Sequence, residues 1–286
     1  MAPPDSAPYH LQEALRKQAN MIRLSSLKAV WDFRGFIFGS VRRDYQLRYR
    51  GTMLGIAWTV LQPLAMILIY TIVFSQVMKN KLHGVNDDFA YSIYLCAGII
   101  TWGLFAEIIQ RSQSVFLDNA NLVKKLNFPR LTLPLIVVAT ALLNFSIVFG
   151  IFLLFLLVSG NVPDITLLAM IPLLAIQVLF AAGLGVTLGL LNVFFRDVGQ
   201  LSGLLLQIWF WATPIAYPAT ILPEWLRPLV NLNPMYHLTH SYQDVLLSHQ
   251  LPDWSNLALL AAVSVGLALY AACLFRRRAG EMVDEL

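Results

Sequence analysis

Charge is scarce in this sequence. Only 13% of its 286 residues are Asp, Glu, Lys or Arg, where soluble domains carry about a quarter. Cysteine is almost missing: Cys96 and Cys273 both sit in long apolar runs, which excludes a disulfide framework and a cysteine-rich zinc site. The first twenty residues are polar and proline-bearing, with no apolar core or small-residue cleavage site, so the first span is expected to stay in the mature protein. No Gly-x-x-x-x-Gly-Lys-Ser/Thr loop occurs, and no Gly-Lys pair at all, so nucleotide phosphates are not held in that way. Leu201-Ser-Gly203 superficially resembles part of an ATPase signature but lies in an apolar run without the continuation. Neither His-Glu-x-x-His nor Gly-x-Ser-x-Gly is present. The net charge of +4 is not gathered on a soluble face, which argues against nucleic acid as a partner.

Apolar residues make up 58% of the chain, and mean hydropathy is +0.65. A bilayer span needs about 20 predominantly apolar residues. Six runs qualify: 53–78, 89–110, 131–158, 165–194, 198–217 and 255–275. Their only Asp, Glu, Lys or Arg is Glu107. Lys and Arg in short flanks favour the cytoplasmic side. With the N-terminus inside, seventeen of them fall on inner segments and three (Lys79, Lys81 and Arg227) on outer ones. The expected fold is therefore an all-α integral membrane protein with six spans and both termini cytoplasmic. A polar extension (1–28), an interfacial segment (29–52), the six-span region (53–275) and a tail (276–286) divide the chain.

Before the first span, Val30, Phe33, Ile37, Val41 and Tyr45 recur at three- and four-residue steps, opposite Arg43, Gln46 and Arg50. This pattern predicts an amphipathic helix in the headgroup plane, with Arg42, Arg43, Arg48 and Arg50 on anionic lipid headgroups; a solvated basic arm is the alternative. Between the second and third runs, Leu122, Val123 and Leu126 form a short apolar stripe, with Asp118 or Asn119 as a cap and Pro129 as terminator. It reads either as a cytoplasmic docking helix or as a solvated turn. Outside, 219–230 and 234–249 are too short to span and too apolar for a solvated loop. They are expected as re-entrant or interfacial pieces beside a cavity. In the second, Met235, Leu238, Tyr242, Val245 and Leu246 share a face opposite His237, Ser241, Asp244 and Ser248.

Glu107 precedes Arg111 by four residues, the helical spacing of an ion pair, or it marks a polar contact at the inner mouth of a pathway. Aromatic residues concentrate in two runs: Tyr91, Tyr94, Trp102 and Phe105 in the second, and Trp209, Phe210, Trp211 and Tyr217, with Gln207, in the fifth. They read as a lipid-interface belt or as a ladder of flat apolar faces that hold sugar rings without fixing a register. His237, His240 and Asp244 lack the pattern and the fourth ligand of a zinc site. The pairs Gly51/Gly55, Gly185/Gly189 and Gly199/Gly203 allow close helix approach within or between chains.

Several stretches together resemble the permease subunits of type-2 ABC exporters of bacterial polysaccharides, the O-antigen (Wzm-like), capsule and teichoic acid permeases. They are Arg43-Asp-Tyr-Gln-Leu-Arg-Tyr-Arg-Gly-Thr-Met-Leu-Gly55, Leu61-Gln-Pro63, Asn121-Leu-Val-Lys-Lys-Leu-Asn-Phe-Pro-Arg130, Phe194-Phe-Arg-Asp197, Trp209-Phe-Trp-Ala-Thr-Pro214 and Asn233-Pro-Met-Tyr-His-Leu238. The resemblance implies a homodimer around a channel in the bacterial inner membrane, joined to two copies of a cytoplasmic ABC ATPase (Wzt-like) that binds the ATP and magnesium. The chain itself would be neither an enzyme nor a holder of a cofactor or metal. Its cargo would be a lipid-diphosphate-linked polysaccharide. The resemblance places Asn119, Asn121, Lys124, Lys125, Asn127, Phe128 and Arg130 against the ATPase. Pro234, Tyr236, His237, His240 and Asp244 fall on an outer gate, and the aromatic residues on the channel wall. A drug or small-lipid exporter of the same superfamily and an intramembrane enzyme acting on a lipid-linked sugar are the competing readings.

Overall fold

A computed structural model describes residues 34–49, 52–77, 89–124, 130–278 and 280–286. Among these residues every regular element is helical. Arg34–Tyr49 forms α1 and Trp58–Val77 forms α2. Ala90–Asp118 is α3, and the single turn Ala120–Val123 is α4. Thr132–Val158 is α5; Met170–Phe194 is α6, entered through a 3₁₀ turn at Ile165–Ala169. Then follow α7 (Asp197–Ala212), α8 (Arg227–Asn231), α9 (Pro234–Gln243), α10 (Trp254–Arg278) and α11 (Glu281–Glu285).

Among the described residues four helical stretches are long and apolar enough to cross a membrane: Ala90–Asp118, Thr132–Val158, Ile165–Phe194 and Trp254–Arg278. They coincide with the second, third, fourth and sixth expected runs. The first run appears as the 20-residue apolar helix α2. The fifth departs from expectation: α7 has 16 residues, about 24 Å at about 1.5 Å per residue. Proline explains the early stop. The residue before a proline is driven out of the helical region by the pyrrolidine ring, and Thr213, before Pro214, is extended at φ −102°, ψ 128°.

The same rule divides the outer piece expected over 219–230. Leu222, before Pro223, is extended at φ −75°, ψ 141°, leaving a 3₁₀ turn at Ala219–Ile221 and the five-residue α8. In contrast, α9 starts with Pro234 in its first turn, where no N–H is needed, and Asn233 caps it by accepting from Met235 N at 3.0 Å. A π-helical turn, Asp244–Ser248, continues α9 and closes on His249 in the left-handed region at φ 51°.

Helix α3 is the axis of the fold. From Ala90 to Gly98 every residue is buried, and its faces pack against α5, α6, α7, α9 and α2. Glycine sets the closest approach. A Cβ on Gly189 of α6 would stand 2.4 Å from the Ser112 carbonyl oxygen of α3, and one on Gly185 2.7 Å from Ser112 Cβ. That pair therefore serves packing within the chain, whereas Gly203 faces open space.

Candidate functional site

The end of α3 near the α4 turn carries a polar network. Asn144 of α5 donates through Nδ2 to Glu107 Oε2 at 2.9 Å and accepts from the Tyr45 hydroxyl of α1 at 3.0 Å. Arg111 pairs with Glu107 Oε1 at 3.4 Å and donates to Asp44. Five side chains thereby join α1 to α3 and α5. Burying a carboxylate is costly unless cation and donors meet it, and Glu107, 16% exposed at its side chain, has both. The ion-pair reading of Glu107 holds. Asp44, Tyr45 and Asn144 were not among the expected site residues: a count of charges in the spans passes over a lone amide, and Asp44 and Tyr45 lie before the first span.

Arg42 and Arg43 are exposed on α1. Arg50 lies outside the described residues, and so does the side chain of Arg48. Of the expected coupling residues, Lys125, Asn127 and Phe128 also lie outside them, with Leu126 and Pro129. Asn121 and Lys124 are exposed on or beside α4, whose Val123 is fully buried. Asn119 occupies the N-cap position of α4, but no side chain bonds there. Asn119 Nδ2 donates back to the Val115 carbonyl at 2.9 Å, and Asp118 accepts from Ser114 at 2.7 Å, so both finish α3 instead. Arg130 Nε donates to the Val123 carbonyl at 3.1 Å and fastens the far end of the turn.

The expected channel aromatics separate into two sets. Trp102, Phe105, Phe180, Trp209 and Phe210 form a single cluster, with Phe105 stacked on Phe180 at 5.7 Å and edge-on to Trp209 at 5.3 Å. Trp102 is 8% exposed and Phe105 fully enclosed, so these two rings lie in the core of the chain. Tyr91 and Tyr94 are also buried; their hydroxyls donate to the carbonyls of Ala216 (2.6 Å) and Pro214 (3.2 Å), holding the irregular segment after α7. Trp209 and Phe210 are half-buried. Gln207 and Trp211 lie on an exposed face of α7 with Leu204 and Ile208, while Tyr217 donates back to the Trp211 carbonyl at 2.8 Å.

At the other end of α3, Asn233 gathers three elements. Its Oδ1 accepts from the Trp209 indole at 2.8 Å as well as from Met235 N, and its Nδ2 donates to the Thr213 hydroxyl at 2.9 Å. Helix α9 and the π turn after it bury Met235, Leu238, Tyr242, Val245 and Leu246, the face read from periodicity. Ser241, expected opposite, is buried because its hydroxyl bonds the His237 carbonyl one turn back at 2.7 Å. A cavity of about 760 Å³ lies between α9 and α10, lined by Pro234, Tyr236, His237, His240 and Asp244. His240 Nδ1 meets Asp244 Oδ2 at 2.7 Å, and that hydrogen bond lifts the imidazole above its ordinary value of 6.5. Among the described residues no group of three or more His, Cys, Asp or Glu is placed to hold a metal ion.

The family profile described as ABC-2 type transporter matches residues 37–247, from α1 to the π turn after α9. The chain belongs to the ABC-2 type transporter family. Among ABC-2 relatives, the O-antigen export system permease protein RfbA of Myxococcus xanthus is 34% identical over 93% of this chain and 100% of its own length. An O-antigen export system permease protein RfbA of Klebsiella pneumoniae is 30% identical over 82% of this chain and 88% of its own. The polysialic acid transport protein KpsM of Escherichia coli is 23% identical over 80% of this chain and 89% of its own. The ABC-2 match ends before α10, the last apolar helix.

Proposed function

We propose that this chain is the membrane-spanning permease subunit of an ATP-driven exporter that moves lipid-linked polysaccharide, of the O-antigen class, out across a bacterial inner membrane. The observation that carries the reading is the 34% identity to the Myxococcus xanthus O-antigen permease along that relative's whole length. O-antigen is preferred to capsular polymer because identity to the polysialic acid transporter is lower, 23%. The working unit is a homodimer with two copies of a separate cytoplasmic ABC ATPase, which supplies ATP and magnesium. All six apolar runs cross the membrane, α7 doing so with the bent segment behind it, and both termini are cytoplasmic.

The mechanism follows from α3. At 29 residues it reaches about 43 Å, at about 1.5 Å per residue, long enough to join both membrane faces. One end carries the α4 turn, with Asn119, Asn121, Lys124 and Arg130 in or beside it, where the ATPase docks. The other end holds the segment after α7 through Tyr91 and Tyr94, and Gln243 of α9 donates to the Tyr94 carbonyl at 3.2 Å. A push at α4 is thus passed along one rigid helix to the outer elements carrying Tyr236, His237 and His240. The glycan path runs along the exposed face of α7, with Gln207 and Trp211 as contacts, between two copies of the chain. Sugar rings offer C–H faces and hydroxyls, so an indole and an amide hold them weakly and repeatedly, as a moving polymer requires. Arg42 and Arg43 meet the phosphates of the lipid carrier.

Reconstitution tests this reading. Vesicles containing this chain and its ABC ATPase are expected to carry lipid-linked glycan across the bilayer only with ATP. Transport of small amphiphiles without movement of the glycan overturns it in favour of a drug-type exporter.

A further inference from the structure

A second cavity, about 490 Å³ and open on one side, is lined by α2, α3 and α5. Its size lies within the usual range of small-ligand pockets, roughly 300–1,000 Å³. It plays no part in the pathway along α7. Its wall is graded: Thr59 and Gln62 of α2, Glu107 of α3 and Asn144 of α5 stand toward one end, near the α1 network, while Ile67, Tyr70, Ile99 and Ile100 line the remainder. Because α2 and α3 run in opposite directions, residues early in α2 and late in α3 share one depth. The polar set is therefore a single layer.

Thr59 supplies the decisive detail. Its side chain lines this cavity, the residue is 7% exposed, and Oγ1 has no hydrogen-bond partner. Leaving a buried hydroxyl unsatisfied costs about 1–3 kcal/mol; turning Thr59 about χ1 brings that hydroxyl to the cavity, where a ligand that gives and takes a hydrogen bond recovers what the protein alone leaves unpaired. The ligand's charge is also constrained. No Lys, Arg or His is among the described residues lining the cavity, and the Glu107 carboxylate is already met by Arg111 and Asn144. A phosphate would sit beside a carboxylate with no cation of its own, and an ammonium would compete with an existing ion pair. A neutral, hydroxyl-rich head suits the polar layer, and an alkyl tail suits the apolar wall between two apolar helices.

We propose that this cavity is a site for an uncharged membrane lipid with a hydroxylated head, a glycosyl lipid in chemical class, distinct from the phosphorylated carrier of the exported glycan. Thr59, Gln62 and Asn144 bond the head, and Trp58, 42% exposed at the rim, offers its indole to the sugar face. Occupancy ties α2 to α3 and α5 beside the network that anchors α1.

Gly103 makes the test clean. It lines the cavity, and a Cβ there meets nothing within 4 Å, so Gly103→Leu fills the space without a backbone clash and replaces a poor helix former. The purified full chain, in nanodiscs of phosphatidylcholine, is labelled with an alkyl glucoside bearing a diazirine in its tail. Labelling is expected on α2 and α3 around Ile67 and Ile99. It should be displaced by octyl glucoside and not by an alkyl phosphocholine of equal chain length. Gly103→Leu should abolish it, and Thr59→Val, which keeps shape and removes the hydroxyl, should weaken it about fivefold. Equal displacement by the phosphocholine makes the cavity a general lipid groove and overturns the proposal. Displacement by soluble maltose means a glycan subsite without a tail and overturns it too, as does unchanged labelling in Thr59→Val if Gly103→Leu fails to fold.

Discussion

The indole of Trp209 and the amide of Asn233, 24 residues apart, are joined by a 2.8 Å hydrogen bond. That contact fastens the last turns of α7 to the start of α9, and the same amide caps α9 and holds Thr213. A buried indole N–H without a partner is costly, so one asparagine satisfies the aromatic core and the outer helix at once.

Replacing Asn233 with alanine removes the cap and both bridging bonds. A loss of about 2 kcal/mol is expected, near the upper end for a cap that also satisfies buried groups. Asn233→Asp keeps the acceptor for Trp209 and Met235 and loses the Nδ2 donations to Thr213 and, at 3.4 Å, to the Ala212 carbonyl, so it should cost less than Asn233→Ala. Thermal unfolding of the purified variants checks the order; equal losses would mean that cap and indole bond contribute nothing separable.

In the network at the other end of α3, Arg111→Met should destabilise more than Asp44→Asn. The first strips the cation from the more enclosed Glu107, while the second loosens a pair 27% and 39% exposed, worth about 1 kcal/mol after solvent screening. Adding Glu107→Gln to Arg111→Met should recover much of the loss. A double-mutant cycle reads the coupling, and additive effects would dissolve the network.

His240 gives a pH dependence. Its pKa in the folded chain stands above the ordinary 6.5 because of Asp244, so the contribution is complete below the unfolded value and is lost as pH rises through the folded one. The stability gap between the native chain and His240→Gln should shrink on going from about pH 6 to about pH 8.5. Asp244→Asn should flatten that trend. A gap that widens with rising pH contradicts the pairing.

The two glycine environments predict opposite outcomes. Gly189→Ala drives a methyl against the Ser112 carbonyl and should cost about 1–3 kcal/mol. Gly203→Ala meets open space and should gain about 0.5–1 kcal/mol from reduced chain entropy. Unfolding midpoints in detergent separate them.

Much of this arrangement was legible in sequence, for identifiable reasons. Apolar runs cleared of charge mark helices that need no partner to be recognised, and α3, α5, α6 and α10 lie where the runs fall. Periodicity likewise found the buried face of α9. Where proline acts on its predecessor, hydropathy is silent: the fifth run reads as continuous although Thr213 breaks it. The aromatics show a second limit. Trp209 and Trp211 are two residues apart, hence on opposite sides of a helix; one joins the core and the other is 61% exposed. Residue type put both on the pathway, but only packing separates them. Asn144 went unnoticed as a hub because a neutral amide in an apolar stretch carries no charge to count, and Asn233 because it reads as a turn residue between two short pieces.

The central claim is tested most directly by measuring surface polysaccharide, together with its lipid-linked precursor inside the cell, after deleting this gene and restoring it on a plasmid. The account predicts loss of the surface polymer with accumulation of the precursor, both reversed by the native chain and not by one in which Gln207 and Trp211 are replaced with alanine. Unchanged surface polymer after deletion, or loss of polymer without accumulated precursor, would contradict it.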